Sequence, residues 1–197
     1  VYKGINKILT AYSIETITGG SGNDIFIFEQ GAKLDGKLNA GGGINTLAYA
    51  MPDSVTTFPT GFKAYNGIVN IDLTAGTGKA GNIFKAATNG INNITNIIGG
   101  TRENILNADG AVNMLTGGAG KDMLTGNAGV DTLEGLAGSD TLTGGVDADI
   151  LRGGQGDDVY LFEDNWGADK VTELAEAGND AIDLKAIDEN ISINVKD

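Results

Sequence analysis

The chain has no cysteine, no histidine and only two prolines among its 197 residues. Without cysteine there is no disulfide, no thiolate metal site and no cysteine nucleophile. Without histidine the chain lacks the usual general base near neutral pH and the commonest transition-metal ligand. Most hydrolase triads and zinc sites are thereby excluded. What remains for a metal is carboxylate and carbonyl oxygen, the ligand set of hard cations such as calcium. No stretch approaches the roughly 18 apolar residues of a membrane helix, so no transmembrane segment is expected. No basic leader or signal-like segment stands at the start. The scarcity of proline and the lack of a G-X-Y period exclude collagen. The chain begins at Val1 rather than Met, so a fragment or processed piece of a larger parent polypeptide is expected.

What the chain does have is glycine and acid. Its 32 glycines are roughly double an average usage of about 7%. Apolar residues make up 41%, too many for a typical disordered chain. The length suffices for one large domain or two small ones with a real core. Charge is divided unevenly: residues 1–98 carry seven Lys and six Asp/Glu, whereas residues 99–197 carry six Lys/Arg and twenty Asp/Glu. Such an acidic half repels nucleic acid and anionic membrane unless it holds cations. Acids on a surface are often only a solvated face, so their arrangement decides.

That arrangement is a repeat of nine. The blocks read GGAGKDMLT (117–125), GNAGVDTLE (126–134), GLAGSDTLT (135–143), GGVDADILR (144–152) and GGQGDDVYL (153–161). Asp122, Asp131, Asp140, Asp149 and Asp158 take the sixth place of each block. Leu124, Leu133, Leu142, Leu151 and Tyr160 take the eighth. These blocks resemble the RTX, or hemolysin-type, calcium-binding nonapeptide G-G-x-G-x-D-x-U-x, a β-helix repeat.

The pattern has a physical reading of its own. Glycines at places one, two and four allow a tight loop with positive φ and let carbonyls approach an ion. The triplet x-U-x is a three-residue strand with one inward apolar side chain. Two nonapeptides make one turn of about 18 residues, so blocks two apart stack. The fold class expected is all-β: a right-handed parallel β-roll or β-helix solenoid with calcium ions between stacked Gly-rich loops. From the resemblance, the ligands would be the sixth-place aspartates with the carbonyls of the loop. Those loops are Gly117, Gly118, Ala119 and Gly120; Gly126, Asn127, Ala128 and Gly129; Gly135, Leu136, Ala137 and Gly138; Gly144, Gly145, Val146 and Asp147; and Gly153, Gly154, Gln155 and Gly156. Three strong sites would pair Asp122 with Asp140, Asp140 with Asp158, and Asp131 with Asp149, with one or two more admitted. Asn127 and Leu136 at the second place should matter little if only their carbonyls serve, and Asp147 tolerates the left-handed region better than most residues.

Upstream the phase persists but decays. GGTRENILN (99–107) and ADGAVNMLT (108–116) place Asn104 and Asn113 where Asp belongs. An amide oxygen can coordinate calcium but brings no charge, so pairs with Asp122 and Asp131 should be weaker or empty. The ends echo each other: GGSGNDIFIFE (19–29) matches GGQGDDVYLFE (153–163). Asn45 follows in AGGGINTLA (40–48) and Asp180 in AEAGNDAID (175–183), which makes Asp24 and Asp180 outlying candidates. The division expected is 1–98 as a degenerate RTX-like β segment, 99–161 as the calcium-binding β-roll, and 162–197 as an aromatic capping segment opening a further unit. Residues 46–98 repeat least, and Ile68–Leu73 suggests a longer strand. ISINV (191–195) echoes it, as in a slice of a longer tandem array.

Competing motifs carry less. Gly76, Gly78 and Gly81 spell GxGxxG, but the dinucleotide motif needs a following helix and an acid about 20 residues on, so a loop between strands is expected. Ala80 after Lys79 stands where a phosphate loop needs Ser or Thr. Adjacent acids such as Asp157 and Asp158 have a place in the calcium repeat, which leaves no call for glycosidase chemistry. Trp166, Tyr160 and Phe162 are expected to cap the solenoid rather than stack sugars. Asp169–Ala177 reads as strand or loop, not helix. Thr116, Thr125 and Thr143 share place nine, but Glu134 and Arg152 interrupt that row, which counts against ice binding.

Each block buries about one Leu-sized side chain, worth roughly 1.5–3 kcal/mol, while ordering nine residues costs on the order of 9–18 kcal/mol. Calcium is expected to supply the difference, so that binding and folding are one event. The resemblance implies export through a type I channel, folding outside the cell and an affinity near 10⁻⁴–10⁻³ M. The expected function is a non-catalytic calcium-binding module of a secreted or bacterial cell-surface protein. The alternatives are the calcium-binding secretion domain of a lipase or protease, and an adhesin region with a cell-surface or carbohydrate ligand.

Overall fold

A computed structural model describes residues 14–28, 30, 34–49, 65–74, 77–80, 90–173 and 178–186. Every regular element among them is a strand. The first nine are β1 (Ile14–Thr18), β2 (Ile25–Ile27), β3 (Leu34–Asn39), β4 (Thr46–Ala48), β5 (Val69–Asp72), β6 (Thr77–Ala80), β7 (Ile91–Asn92), β8 (Asn96–Ile98) and β9 (Asn104–Asn107). The remainder are β10 (Met114–Ala119), β11 (Met123–Asn127), β12 (Thr132–Ala137), β13 (Thr141–Gly145), β14 (Ile150–Gln155), β15 (Val159–Glu163), β16 (Lys170–Thr172) and β17 (Ala181–Ala186).

The strands form two seven-stranded sheets, ordered β16-β14-β12-β10-β8-β4-β2 and β17-β15-β13-β11-β9-β5-β6, with a three-stranded sheet β1-β3-β7 beside the N-terminal turns. From β8 on, successive strands alternate between the two large sheets, so this part of the chain winds as a parallel solenoid. From β8 to β13 each strand pairs with the strand 18 residues on, as in Leu115 with Leu133 and Leu124 with Leu142, whereas β14 and β15 pair 20 and 22 residues on, Ile150 with Lys170 and Val159 with Ala181. The register keeps like places together, because the side-chain period of two would turn every eighth-place residue outward after a one-residue slip.

The core follows from that register. One column runs through Leu47, Ile97, Leu115, Leu133 and Leu151, the other through Ile71, Leu106, Leu124, Leu142 and Tyr160, all fully or nearly fully buried. From Leu106 on, the residues on either side of these positions are partly or wholly exposed, whereas Ala48 beside Leu47 is buried in a second small cluster with Ile27. In the N-terminal turns the core is broader. Leu38 and Ile91 are buried on the third sheet, and Tyr49 packs on Phe28 and Tyr65 with ring centroids 5.9 and 6.0 Å away.

Three local expectations are corrected. The strand suggested by Ile68–Leu73 is four residues, Val69–Asp72, and turns back into the antiparallel β6. Gly78 therefore lies within a strand opposite Ile71 rather than in a loop, which leaves no glycine turn for a dinucleotide at that position; Gly76 and Gly81 lie outside the described residues. The place-nine row is two rows. Thr125 pairs with Thr143 on one sheet, while Thr116, Glu134, Arg152 and Thr172 follow one another on the other, with an Arg152–Glu134 ion pair at 2.7 Å. Residues 175–177 and the 191–195 echo lie outside the described residues.

Candidate metal centre

Each loop presents its sixth-place residue at the start of a strand, and all of these residues stack. Asp131, Asp140, Asp149, Asp158 and Asp122 are at most 1% exposed. One oxygen of each carboxylate is held by the turn before it. The Asp122 amide donates to Asp140 Oδ1 at 2.8 Å, Asp140 to Asp158 at 2.7 Å, and Asp131 to Asp149 at 2.7 Å. The three expected pairs are thus in direct contact. The other oxygen of each, Oδ2, is buried with no hydrogen-bond partner. An unpaired buried carboxylate oxygen is costly, because it loses water and gains nothing.

These oxygens are not scattered. A Cβ placed on Gly117, Gly135 or Gly144 would collide with Oδ2 of the Asp in its own loop. The same Cβ on Gly117 or Gly135 would lie 2.9 or 2.7 Å from the carbonyl oxygen of the first-place glycine one turn on. Carboxylate and carbonyl oxygens therefore converge where each loop begins, a cradle of hard donors. The first-place glycine keeps an ordinary φ and is needed for this close approach. Positive φ belongs to places two and four instead: 135° at both Gly118 and Gly120, 108° and 121° at Gly154 and Gly156.

Places two and four tolerate three departures at a cost. Asn127, Leu136 and Asp147 hold φ of 75°, 79° and 78°. Asn127 is more than a bystander, since its side-chain amide donates to Ala108 O at 2.8 Å and Asn107 Oδ1 at 3.1 Å. Leu136 has no such compensation and is exposed. Asp147 Oδ2 accepts from Gly129 N at 3.2 Å, which ties one loop to the next. Among the third-place carbonyls, those of Ala137 and Gln155 already accept ladder bonds from Gly120 N and Gly138 N, both at 2.8 Å. Ala119 pairs with Ala137, and Val146 N donates to Asn127 O at 2.7 Å.

Burial raises the aspartate pKa values, and neighbouring acids add to it against the stabilising N–H contacts. Asp122 and Asp131 rise to about 7 and Asp140 to about 6, with Asp149 and Asp158 also raised. A stack of acids whose ionised form is disfavoured becomes favourable when a cation neutralises it.

A family model described as an RTX calcium-binding nonapeptide repeat (4 copies) matches residues 14–32, 89–124 and 125–160. Its repeats belong to the RTX family. RTX nonapeptide repeats bind calcium, and the cradle just described fits that ion: its donors are all oxygen and partly anionic, and its carboxylate Oδ2 atoms have no hydrogen-bond partner. No curated protein matches the chain.

In the RTX loops upstream, side-chain amides already meet several of the corresponding oxygens. Asn104 Nδ2 donates to Arg102 O at 2.6 Å, Asp122 Oδ1 at 2.7 Å and Gly117 O at 3.2 Å, while its Oδ1 accepts from Gly100 N at 2.9 Å. The amide nitrogen thus bridges carbonyls and a carboxylate. Asn45 does likewise with Asn93 O at 3.0 Å and Gly42 O at 3.3 Å. Asp24 Oδ2 accepts from Gly20 N at 2.8 Å and so has a partner that the later aspartates lack. Asn113 is intermediate. Its Nδ2 donates to Thr95 O at 3.0 Å, but its Oδ1 is buried without a partner. Val69 aligns with Asn104 and closes that column with an apolar side chain.

Sequence reasoning missed Asp169. Its Oδ1 accepts from Asp149 N at 2.9 Å, its Oδ2 is another buried orphan, and its pKa is raised by burial to about 6. The signal was present. Gly167-Ala168-Asp169-Lys170-Val171-Thr172 is G-x-D-x-U-x, displaced two residues from the phase by Phe162 and Glu163. Asp180 aligns too, accepting from Asp158 N at 3.0 Å. Asp157 instead accepts from Asn179 N at 2.9 Å. Tyr160 and Phe162 are buried inside the solenoid, with Trp166 packed edge-on against Phe162 at 4.6 Å; β16 and β17 pair on beyond them.

Proposed function

We propose that the protein is a non-catalytic, calcium-dependent β-roll module of a secreted or surface-attached bacterial protein, which folds fully when calcium fills its acidic loops. The observation that carries this reading is the row of buried, unpartnered Oδ2 atoms on Asp122, Asp131, Asp140, Asp149, Asp158 and Asp169. Bound calcium would supply the positive charge and the coordination that these oxygens lack. Ligands would be those aspartates and the first-place glycine carbonyls, with Asn113 Oδ1 available to a weaker site beside Asp131. The loop of Asn104 would stay free of metal, because its amide already satisfies the oxygens a cation would bridge. The calcium-bearing segment would begin within residues 99–161 and extend as far as Asp180. The two alternatives, an enzyme's secretion domain and an adhesin region, differ in what the module is attached to.

The test is far-UV circular dichroism of the whole chain, titrated from EGTA into millimolar calcium with magnesium as control. A cooperative gain of β signal specific to calcium is expected. A full β signal in EGTA, unaltered by calcium, would overturn the reading.

A further inference from the structure

At the end of one sheet the repeat pattern runs out, and a different carboxylate takes over. Gly99, Gly117 and Gly135 each lie against the carbonyl oxygen of Gly117, Gly135 and Gly153 respectively, one turn on. Gly153 has no such glycine above it. A Cβ there would instead lie 2.6 Å from Glu173 Oε1 and collide with Asp158 Oδ2. Glu173 follows β16 and belongs to no nonapeptide block. Carboxylate oxygens of Asp158, Glu173 and Asp180 all lie within 4.8 Å of one another.

We propose that Glu173 joins Asp158 and Asp180 as the third carboxylate of a terminal calcium site, its side chain supplying the oxygen that a glycine carbonyl supplies in the turns before. The inference rests on the calcium reading above and adds a ligand that the repeat does not encode. Two independent observations support it. Asp158 is fully buried, and its Oδ2 has no partner although it faces the same glycine as Glu173 Oε1. Glu173 is also held in place. Gly153 N donates to the Tyr160 hydroxyl at 2.6 Å, that hydroxyl donates to Glu173 Oε1, and Gly154 N lies 3.4 Å from Oε2. This accounts for Tyr160 standing where the four preceding blocks have leucine: its ring fills the core column and its hydroxyl reaches the carboxylate. Three clustered carboxylates without a cation would repel one another. All-oxygen, trianionic coordination suits calcium, and higher ligand charge strengthens its binding.

The experiment counts bound calcium on the whole chain by equilibrium dialysis and follows affinity by calorimetry, for wild type, Glu173→Gln, Tyr160→Phe and Asp131→Asn. Glu173→Gln should lose one ion or bind it at least tenfold more weakly, in line with the dependence of calcium affinity on ligand charge. Tyr160→Phe keeps the ring and the carboxylate but frees Glu173, and should weaken the same ion by about tenfold. Asp131→Asn should remove an ion from the other column and leave the Glu173-dependent one intact. Wild-type stoichiometry and affinities in both Glu173→Gln and Tyr160→Phe would overturn the terminal site while leaving the calcium reading standing. No calcium bound by wild type would overturn both. Should Glu173→Gln fail to fold in saturating calcium, Tyr160→Phe decides alone.

Discussion

The turns before Asn104 and those after it use one backbone plan and satisfy it in two ways. Both stack parallel strands over an apolar column, and both place a polar side chain at the start of most strands, Val69 being an apolar exception. In the earlier turns Asn45 and Asn104 fill that place, and their amides donate to the surrounding oxygens; from Asp122 on it is an aspartate, which when ionised can only accept. The earlier turns also have aromatic packing through Phe28, Tyr49 and Tyr65, whereas the later ones rest on a single Leu per strand. A neutral amide thus satisfies the oxygens of its own loop, while a carboxylate in the same position leaves one buried oxygen without a partner. Among the described residues, all six aspartate Oδ2 orphans accordingly lie between Asp122 and Asp169.

Calcium removal should separate the two regions most strongly. Hydrogen exchange of the whole chain in EGTA should show the strands from β11 to β15 losing protection, while β3, β4 and β8 retain much more of theirs. Equal loss in both regions would erase the distinction. Core truncation comes next. Leu133→Ala removes a fully buried side chain and should cost about 2–5 kcal/mol in calcium, read from thermal or denaturant unfolding of the calcium-loaded protein.

Exchanging the polar residue tests the comparison directly. Asp140→Asn puts an amide into two of the expected pairs and should raise the midpoint of the calcium titration by about tenfold or more, equivalent to about 1.4 kcal/mol. Asn104→Asp should do the reverse: less stable in EGTA, with an additional ion bound in calcium.

Acid acts through the same carboxylates. The folded pKa values of Asp122 and Asp131 lie at about 7, above the ordinary carboxylate value of 3.8, so the folded state binds more protons between those limits. Stability of the calcium-free protein should therefore rise as pH falls through about 7 and go on rising towards the unfolded value. Protons compete with calcium for these oxygens, so the calcium midpoint should increase over the same interval. Denaturant unfolding in EGTA at several pH values, paired with calcium titrations, checks both signs. The smallest effect is expected at the exposed Arg152–Glu134 pair. Arg152→Ala should change stability by no more than about 1 kcal/mol and lose even that at high salt.

Much of this was legible beforehand because the repeat repeats its chemistry. Asp at place six and Leu at place eight imposed the 18-residue register, since only that stacking buries every Leu and aligns every Asp. Asp169 was harder to see because two inserted residues displaced it from the phase, although its local G-x-D-x-U-x survives. Glu173 left no trace in the pattern: its proximity to Asp158 depends on where β16 ends and on the reach of Tyr160. The role of first-place glycine was also hidden, because close approach and positive φ both call for glycine and only coordinates separate them.

The winding, the core columns and the acidic stacks follow from residue spacing and side-chain polarity alone. Tertiary structure decided which oxygens are already satisfied and which are not. That depends on hydrogen bonds between residues 18 or more apart, such as Asn104 Nδ2 to Asp122 Oδ1, whose geometry exists only once the turns have stacked.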